Sequence, residues 1–281
     1  MATLVLVLGT LALGPFLLQG YFLLSSRAVL AGGLLPAQEQ VIAFYDTLPG
    51  FLFAATMAGT WTGVLALAAG MLSPEALPSR LGLKRSRLGR LGWLVVPIGA
   101  LALSQSVDAA FEVSGFGRGE TLEGVLKMLA GARGPSLALA VLIVGALSAT
   151  CEELFFRGYL QRRLVARFGP ATGILVAAFL FGLAHFDWHH SLFAFAFGVF
   201  VGVAAWAADS TWPAILAHVI NNTTAVLTLV LGLDVGGGSA RAQWIALAVG
   251  ALAAVLAAAW ILRRAPRRVP PAPASPEQLF A

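Results

Sequence analysis

Long apolar runs, separated by short polar or basic stretches, set the pattern of this chain. Eight runs reach or approach the roughly 20 residues that a helix needs to cross a bilayer. They cover residues 3–24, 51–72, 92–107, 137–156, 171–185, 191–208, 212–233 and 243–262. The third and fifth are short for a full crossing. Between the third and fourth, residues 108–134 mix acidic and basic side chains, yet Leu122, Val125, Leu126 and Leu129 recur at helical spacing. That spacing predicts a short amphipathic helix on the membrane interface or the bundle rim. The pattern as a whole predicts an all-α fold: a polytopic membrane helix bundle of about eight transmembrane helices. It forms one domain over residues 1–262, with the candidate chemistry concentrated in 137–233.

Composition agrees with that reading. The 281 residues are 59% hydrophobic and 11% charged, with a mean hydropathy of +0.86, against roughly 45–50% apolar residues in soluble domains. The net charge of +5 does not point to nucleic acid, because the basic residues sit in short clusters between apolar runs. Arg80, Lys84, Arg85, Arg87 and Arg90 follow the second run, Arg162, Arg163 and Arg167 the fourth, and Arg263, Arg264, Arg267 and Arg268 the eighth. All three clusters follow even-numbered runs, so the positive-inside rule predicts both termini in the cytoplasm. The setting expected is a bacterial inner membrane, with the first run retained as an anchor. The lipid bilayer is then a partner and nucleic acid is not. Trp93, Trp188, Trp212, Trp244 and Trp260 fall near the ends of runs, where indole rings favour the headgroup region. The tail at 263–281 starts basic, turns Pro-rich and is expected to be disordered.

Against this apolar background a few polar residues stand out. Glu152, Glu153 and Arg157 close the fourth run, although a charged side chain at a helix centre costs about 2.5–3.5 kcal/mol on insertion scales. Glu153 and Arg157 are four apart and share a helix face, which allows a fixed ion pair. Glu152 is rotated from Glu153 by about 100° and lacks that partner, so a poorly solvated place suits it to general-base work. Phe181 and His185 are likewise four apart, as are His218 and Asn222, with Asn221 alongside. Taken singly, each set has a plain packing reading: an interfacial ion pair, a core histidine, an amide joining helices. Three such sets on three helices of one bundle point instead to a shared site.

In order and spacing, Glu152-Glu153-x-x-x-Arg157, Phe181-x-x-x-His185 and His218-x-x-x-Asn222 resemble the three motifs of the CPBP family of intramembrane glutamic endopeptidases. That family includes the type II CAAX prenyl proteases and bacterial relatives associated with bacteriocin self-immunity. The resemblance covers about residues 150–224, including the stretch DSTWPAILAH that leads into the last motif. It implies that Glu152 activates water for attack on a peptide carbonyl, with His185 helping to orient that water. Glu153 and Arg157 would fix the site, and His218 and Asn222 would donate hydrogen bonds to the oxyanion. The implied partner is a membrane-associated peptide or protein substrate, and no cofactor or metal is implied.

Other readings use the same residues differently. Glu152, His185 and His218 form a permitted zinc set, although the chain has neither HExxH nor the GxSxG of a serine nucleophile. His189 and His190 read as interfacial residues, and Cys151 as packing. A proton-coupled transporter would use the buried charges as an ion path, and a non-catalytic immunity or scaffold protein would keep the fold to bind a partner. One geometric problem is visible from the sequence alone. If 137–156 and 171–185 are separate crossings, Glu152 and His185 lie near opposite faces of the membrane. They meet only if the fifth helix runs further than drawn or if residues 159–168 stay within the bundle.

Overall fold

The computed structural model describes residues 43–72, 74–117, 119–233 and 239–266. In chain order the helices are α1 (Leu48–Met71), α2 (Leu77–Arg80), α3 (Gly89–Val113), α4 (Glu120–Ala130), α5 (Pro135–Leu183), α6 (Trp188–Ala208), α7 (Trp212–Val230) and α8 (Ala240–Leu262). Six of them, all but α2 and α4, are long and apolar enough to cross a membrane. The chain is an integral membrane protein built as a polytopic helical bundle, and the described residues contain no strand. Side chains such as Ile98 on α3 and Leu252 and Val255 on α8 are exposed on the outside of the bundle, where lipid rather than water suits them.

The count differs from the eight runs expected for two reasons. The run at 3–24 and most of the tail lie outside the described residues. The runs at 137–156 and 171–185 belong to one helical path, α5, broken only at Gly169. Gly169 has φ 80° and ψ 167°, a conformation that glycine adopts without steric cost. The following Pro170 keeps its predecessor out of the helical region and suits the first turn of a new helix. The chain therefore folds back on itself. A Cβ at Gly173 would come within 2.5 Å of the Val165 backbone nitrogen, and the rings of Phe156 and Phe181 meet at 5.1 Å in an edge-to-face contact.

This hairpin removes the depth problem. Glu152 lies 17 residues before Gly169 and His185 lies 16 after it, or about 26 and 24 Å along two antiparallel arms. The two side chains reach the same level because residues 159–168 continue the first arm instead of leaving the bundle. That arm is also unusual in its winding. Val141–Ser148 and Leu154–Gln161 have the wider i→i+5 turns of a π-helix, on either side of Ala149–Glu153. Such turns are rare and gather at functional sites.

α3 is longer than expected, running on past residue 107 through Asp108 and Glu112, into the mixed-charge stretch that follows the third run. Both carboxylates line an internal cavity, so the helix continues without exposing them to lipid. α8 runs antiparallel to α3: a Cβ at Gly99 would meet Ala257, and one at Gly250 would meet Ala102 and Ser106. The short helix expected near Leu122–Leu129 is α4, and it places Val125, Leu126 and Leu129 against the same cavity.

The basic residues gather at one end of the bundle. Asp209, in the turn between α6 and α7, pairs with Lys84 at 2.8 Å, Arg87 at 2.8 Å and Arg162 at 3.4 Å. Around it Thr211 Oγ1 donates to the Leu81 carbonyl at 2.7 Å and Ser210 Oγ donates to the Lys84 carbonyl at 2.7 Å. This knot ties the 81–88 loop to the α6–α7 turn and to the first arm of α5. From the antiparallel register, Arg263 and Arg264 at the end of α8 fall at the same end, beside the start of α3.

Candidate active site

Three helical segments converge on the site. The first arm of α5 supplies Glu152, Glu153 and Arg157, its second arm leads into His185, and α7 supplies His218, Asn221 and Asn222. Glu153 and Arg157 are 0% and 1% exposed, so neither can be left without a partner cheaply. Arg157 Nη1 donates to Glu153 Oε1 at 2.8 Å, and Nη2 donates to the Gly198 carbonyl at 3.3 Å. The guanidinium also lies 4.3 Å from the centroid of the Phe181 ring, a cation–π contact strengthened by desolvation.

The docking surface for this row is built into α6. Gly198 and Gly202 are four apart and face the first arm. A Cβ at Gly198 would stand 3.0 Å from Arg157 Nη2, and one at Gly202 would stand 2.6 Å from Gln161 Oε1. Gln161 Nε2 donates to the Gly202 carbonyl at 2.9 Å. Glu153, Arg157 and Gln161 thus form one polar stripe laid on a G-x-x-x-G surface, the small-residue device that brings membrane helices together.

Glu153 also reaches across to α7. His218 Nδ1 is 2.9 Å from Glu153 Oε1, so a carboxylate there accepts the Nδ1 proton and leaves Nε2 facing the other way. On that side Glu152 Oε2 lies 3.9 Å from His218 Nε2, too far for a direct hydrogen bond and within reach of one bridging water. The Glu152 side chain is 23% exposed, in contrast to its sealed neighbour. His185 Nδ1 donates to the Phe181 carbonyl at 2.9 Å, leaving its Nε2 as the acceptor. The Phe181 ring lies edge-to-face to both histidines, at 5.0 Å from His185 and 5.9 Å from His218.

Asn222 Nδ2 donates to the Val144 carbonyl in the first arm at 3.3 Å, and Asn222 Oδ1 accepts from Asn221 Nδ2 at 3.3 Å. Asn221 Oδ1 in turn accepts from Ser104 Oγ on α3 at 2.6 Å. The two amides are linked and are not independent faces of α7.

Glu152, His185, His218, Asn221 and Asn222 all line one cavity of about 360 Å³. Glu153 and Arg157 do not reach it; they stand behind its wall and fix His218. Two histidines read from sequence as interfacial also belong to it. His189 and His190 line the cavity, and the His190 ring is 4.2 Å from that of His185. Asp187 caps α6 by accepting from the His190 N–H at 2.8 Å, which turns this part of the chain inward. Among the described residues, no group of three His, Cys, Asp or Glu side chains has the arrangement of a metal site.

A family model described as type II CAAX prenyl endopeptidase, Rce1-like, matches residues 134–224. The match begins one residue before α5 and ends within α7, so the matched stretch holds every motif residue from Glu152 to Asn222. It is the family whose motifs the sequence resembles, and at family level it is one of membrane endopeptidases. Comparison with curated proteins and with solved structures returned no match.

Proposed function

We propose that the protein is an intramembrane endopeptidase that hydrolyses a peptide bond of a membrane-associated substrate with water activated by Glu152. The observation that carries this reading is the division of labour between adjacent carboxylates. Glu153 is sealed and committed to Arg157 and His218, whereas Glu152 opens on a cavity beside two histidines and an amide. A carboxylate base together with hydrogen-bond donors in a sheltered polar pocket suffices for amide hydrolysis.

In the proposed reaction Glu152 takes one proton from a water whose oxygen bonds to the scissile carbonyl carbon. His185, held through its Nδ1, accepts the other hydrogen of that water at Nε2 and orients it. The carbonyl oxygen becomes an oxyanion and takes hydrogen bonds from Asn222 Nδ2 and from His218. Because His218 gives its Nδ1 proton to Glu153, it presents an Nε2–H only in its doubly protonated form. Glu153 and Arg157 are positioning residues that set that imidazole. As the C–N bond breaks, Glu152 returns its proton to the leaving nitrogen.

The test is turnover of a membrane-anchored peptide library by purified protein, wild type beside Glu152→Gln. The expected result is a loss of about 10²–10⁴ in kcat with unchanged melting temperature, the usual contribution of a general base. Wild-type turnover by the folded variant would refute the assignment. No step calls on a metal, so activity is expected to survive prolonged chelation. Loss with EDTA that zinc restores would move the site to the metallopeptidases.

A further inference from the structure

The cavity and the basic residues occupy opposite halves of the bundle. Ten of the 18 Lys and Arg residues lie at the end marked by Asp209: Arg80 to Arg90, Arg162, Arg163, Arg167, Arg263 and Arg264. Among the described residues outside the site, the other end holds only Lys127, Arg133 and Arg241. The positive-inside rule makes the basic end cytoplasmic. The cavity extends the other way. From Glu152 and His218 its lining reaches Glu112 at the last turn of α3, Leu233 beyond the end of α7 and Gln243 in the first turn of α8.

Toward the basic end the path is closed. His218 is only six residues from Trp212 at the start of α7, about 9 Å along the helix. Even so, that interval is filled by buried Phe156, Tyr159, Leu160, Phe181 and Phe197, with alanines 204, 205, 207 and 208 of α6 below them. A close-packed apolar layer of this kind admits neither water nor a peptide.

We infer that the site is fed from the extracytoplasmic side, and that its substrate class is the extracytoplasmic, membrane-proximal segment of an anchored polypeptide rather than the cytosolic tail of a prenylated protein. This rests on the peptidase reading for the word substrate, and on the cavity geometry together with the positive-inside rule for the direction of access.

Two measurements separate these dependences. In the full-length chain with Cys151→Ser, single cysteines at Ala225 within the cavity, Leu233 at its far end and Arg85 at the basic end are exposed to a membrane-impermeant maleimide. Labelling is expected from outside intact cells at Ala225→Cys and Leu233→Cys, and only from the cytoplasmic side of inverted vesicles at Arg85→Cys. Labelling of Ala225→Cys from the cytoplasmic side alone, or from neither side, overturns the inference. The second measurement places a randomised 20-residue segment on one or the other flank of a single-span reporter. Glu152-dependent cleavage confined to the extracytoplasmic flank is the expected result. Glu152-dependent cleavage confined to the cytoplasmic flank keeps the peptidase reading and refutes this inference. If neither reporter is cleaved in a Glu152-dependent way, the peptidase reading fails and the labelling alone decides the direction of access.

Discussion

The basic half of the bundle and the cavity half are made from the same helices and treat polar groups in opposite ways. In the basic half, Glu153, Arg157 and Gln161 are buried between α5 and α6 and hydrogen-bonded to side chains or to the Gly198 and Gly202 carbonyls. Phe156, Phe181 and Phe197 fill the space around them. In the cavity half, Glu152, His185, His190 and Asn222 come from the same or neighbouring turns and face open volume. The boundary falls between two consecutive residues, Glu152 and Glu153. A rotation of about 100° along the helix separates a carboxylate fixed by its partners from one that opens on the cavity. Low dielectric strengthens a fully paired network and penalises an unpaired one, so the two halves should respond to substitution through different observables: stability on one side, turnover on the other.

The largest expected effect is at Arg157. Arg157→Ala leaves the Glu153 carboxylate buried with only His218 as partner, and breaking a buried pair in this way costs about 3–5 kcal/mol. The melting temperature should fall steeply and activity should go with it, because His218 loses its fixed acceptor geometry. A variant that melts like the wild type would show that the packed half does not depend on this pair.

Asn222→Ala tests the other side of the boundary. An oxyanion donor contributes about 10²–10³ in kcat with little change in KM, since its hydrogen bond strengthens only as charge develops. An amide that merely joins helices would instead cost about 0.6–2 kcal/mol of stability and spare kcat. Asn221→Ala, which from helical spacing alone looks like an independent control, is coupled to Asn222 through a 3.3 Å hydrogen bond. It is expected to lower kcat by less and to lose stability through the Ser104 contact. Equal kcat losses at the two positions, or a stability loss without a kcat loss at Asn222, would remove the oxyanion role.

Much of this division was legible in the sequence, and the parts that were not have identifiable causes. The i, i+4 spacing of Glu153 and Arg157 gives their pairing, because a helix face is a local property. The meeting of Glu153 with His218 is not local: it depends on how α7 lies against α5. The hairpin at Gly169-Pro170 was signalled by its two residues, yet hydropathy separated 137–156 from 171–185 because the intervening 159–168 carries Arg162, Arg163 and Arg167. The G-x-x-x-G at Gly198 and Gly202 was readable as a helix-docking surface, but nothing in its spacing says that it receives Arg157 and Gln161. His190 lacks a motif partner at helical spacing, so only the turn that Asp187 caps reveals that it faces inward. The run at 3–24 lies outside the described residues, and the count of eight spans stays an expectation from hydropathy.

The smallest expected effect lies at the far edge of the packed half, at Asp209. Asp209 closes α6 in the left-handed region at φ 48°, which Asp and Asn tolerate better than other non-glycine residues. Asp209→Asn therefore keeps the backbone and removes the charge. Burial pushes the Asp209 carboxyl up, but the hydrogen bond and charge of Lys84, with the charges of Arg87 and Arg162, hold it below its usual value of 3.8. A depressed folded value means stability that is present above the unfolded value and lost as pH falls through the lower folded one. The amount is small, at most about 1 kcal/mol, because Lys84 and Arg87 are exposed and solvent screens them. Wild type should thus exceed Asp209→Asn by a small, constant margin from pH 8 down to about 5, and the margin should close as the carboxyl protonates below its ordinary range. The gap should also shrink as salt is raised at neutral pH, since these partners are exposed. A margin that persists unchanged below pH 3, or that grows with salt, would mean that Asp209 does not act through its charge on the three cations it gathers.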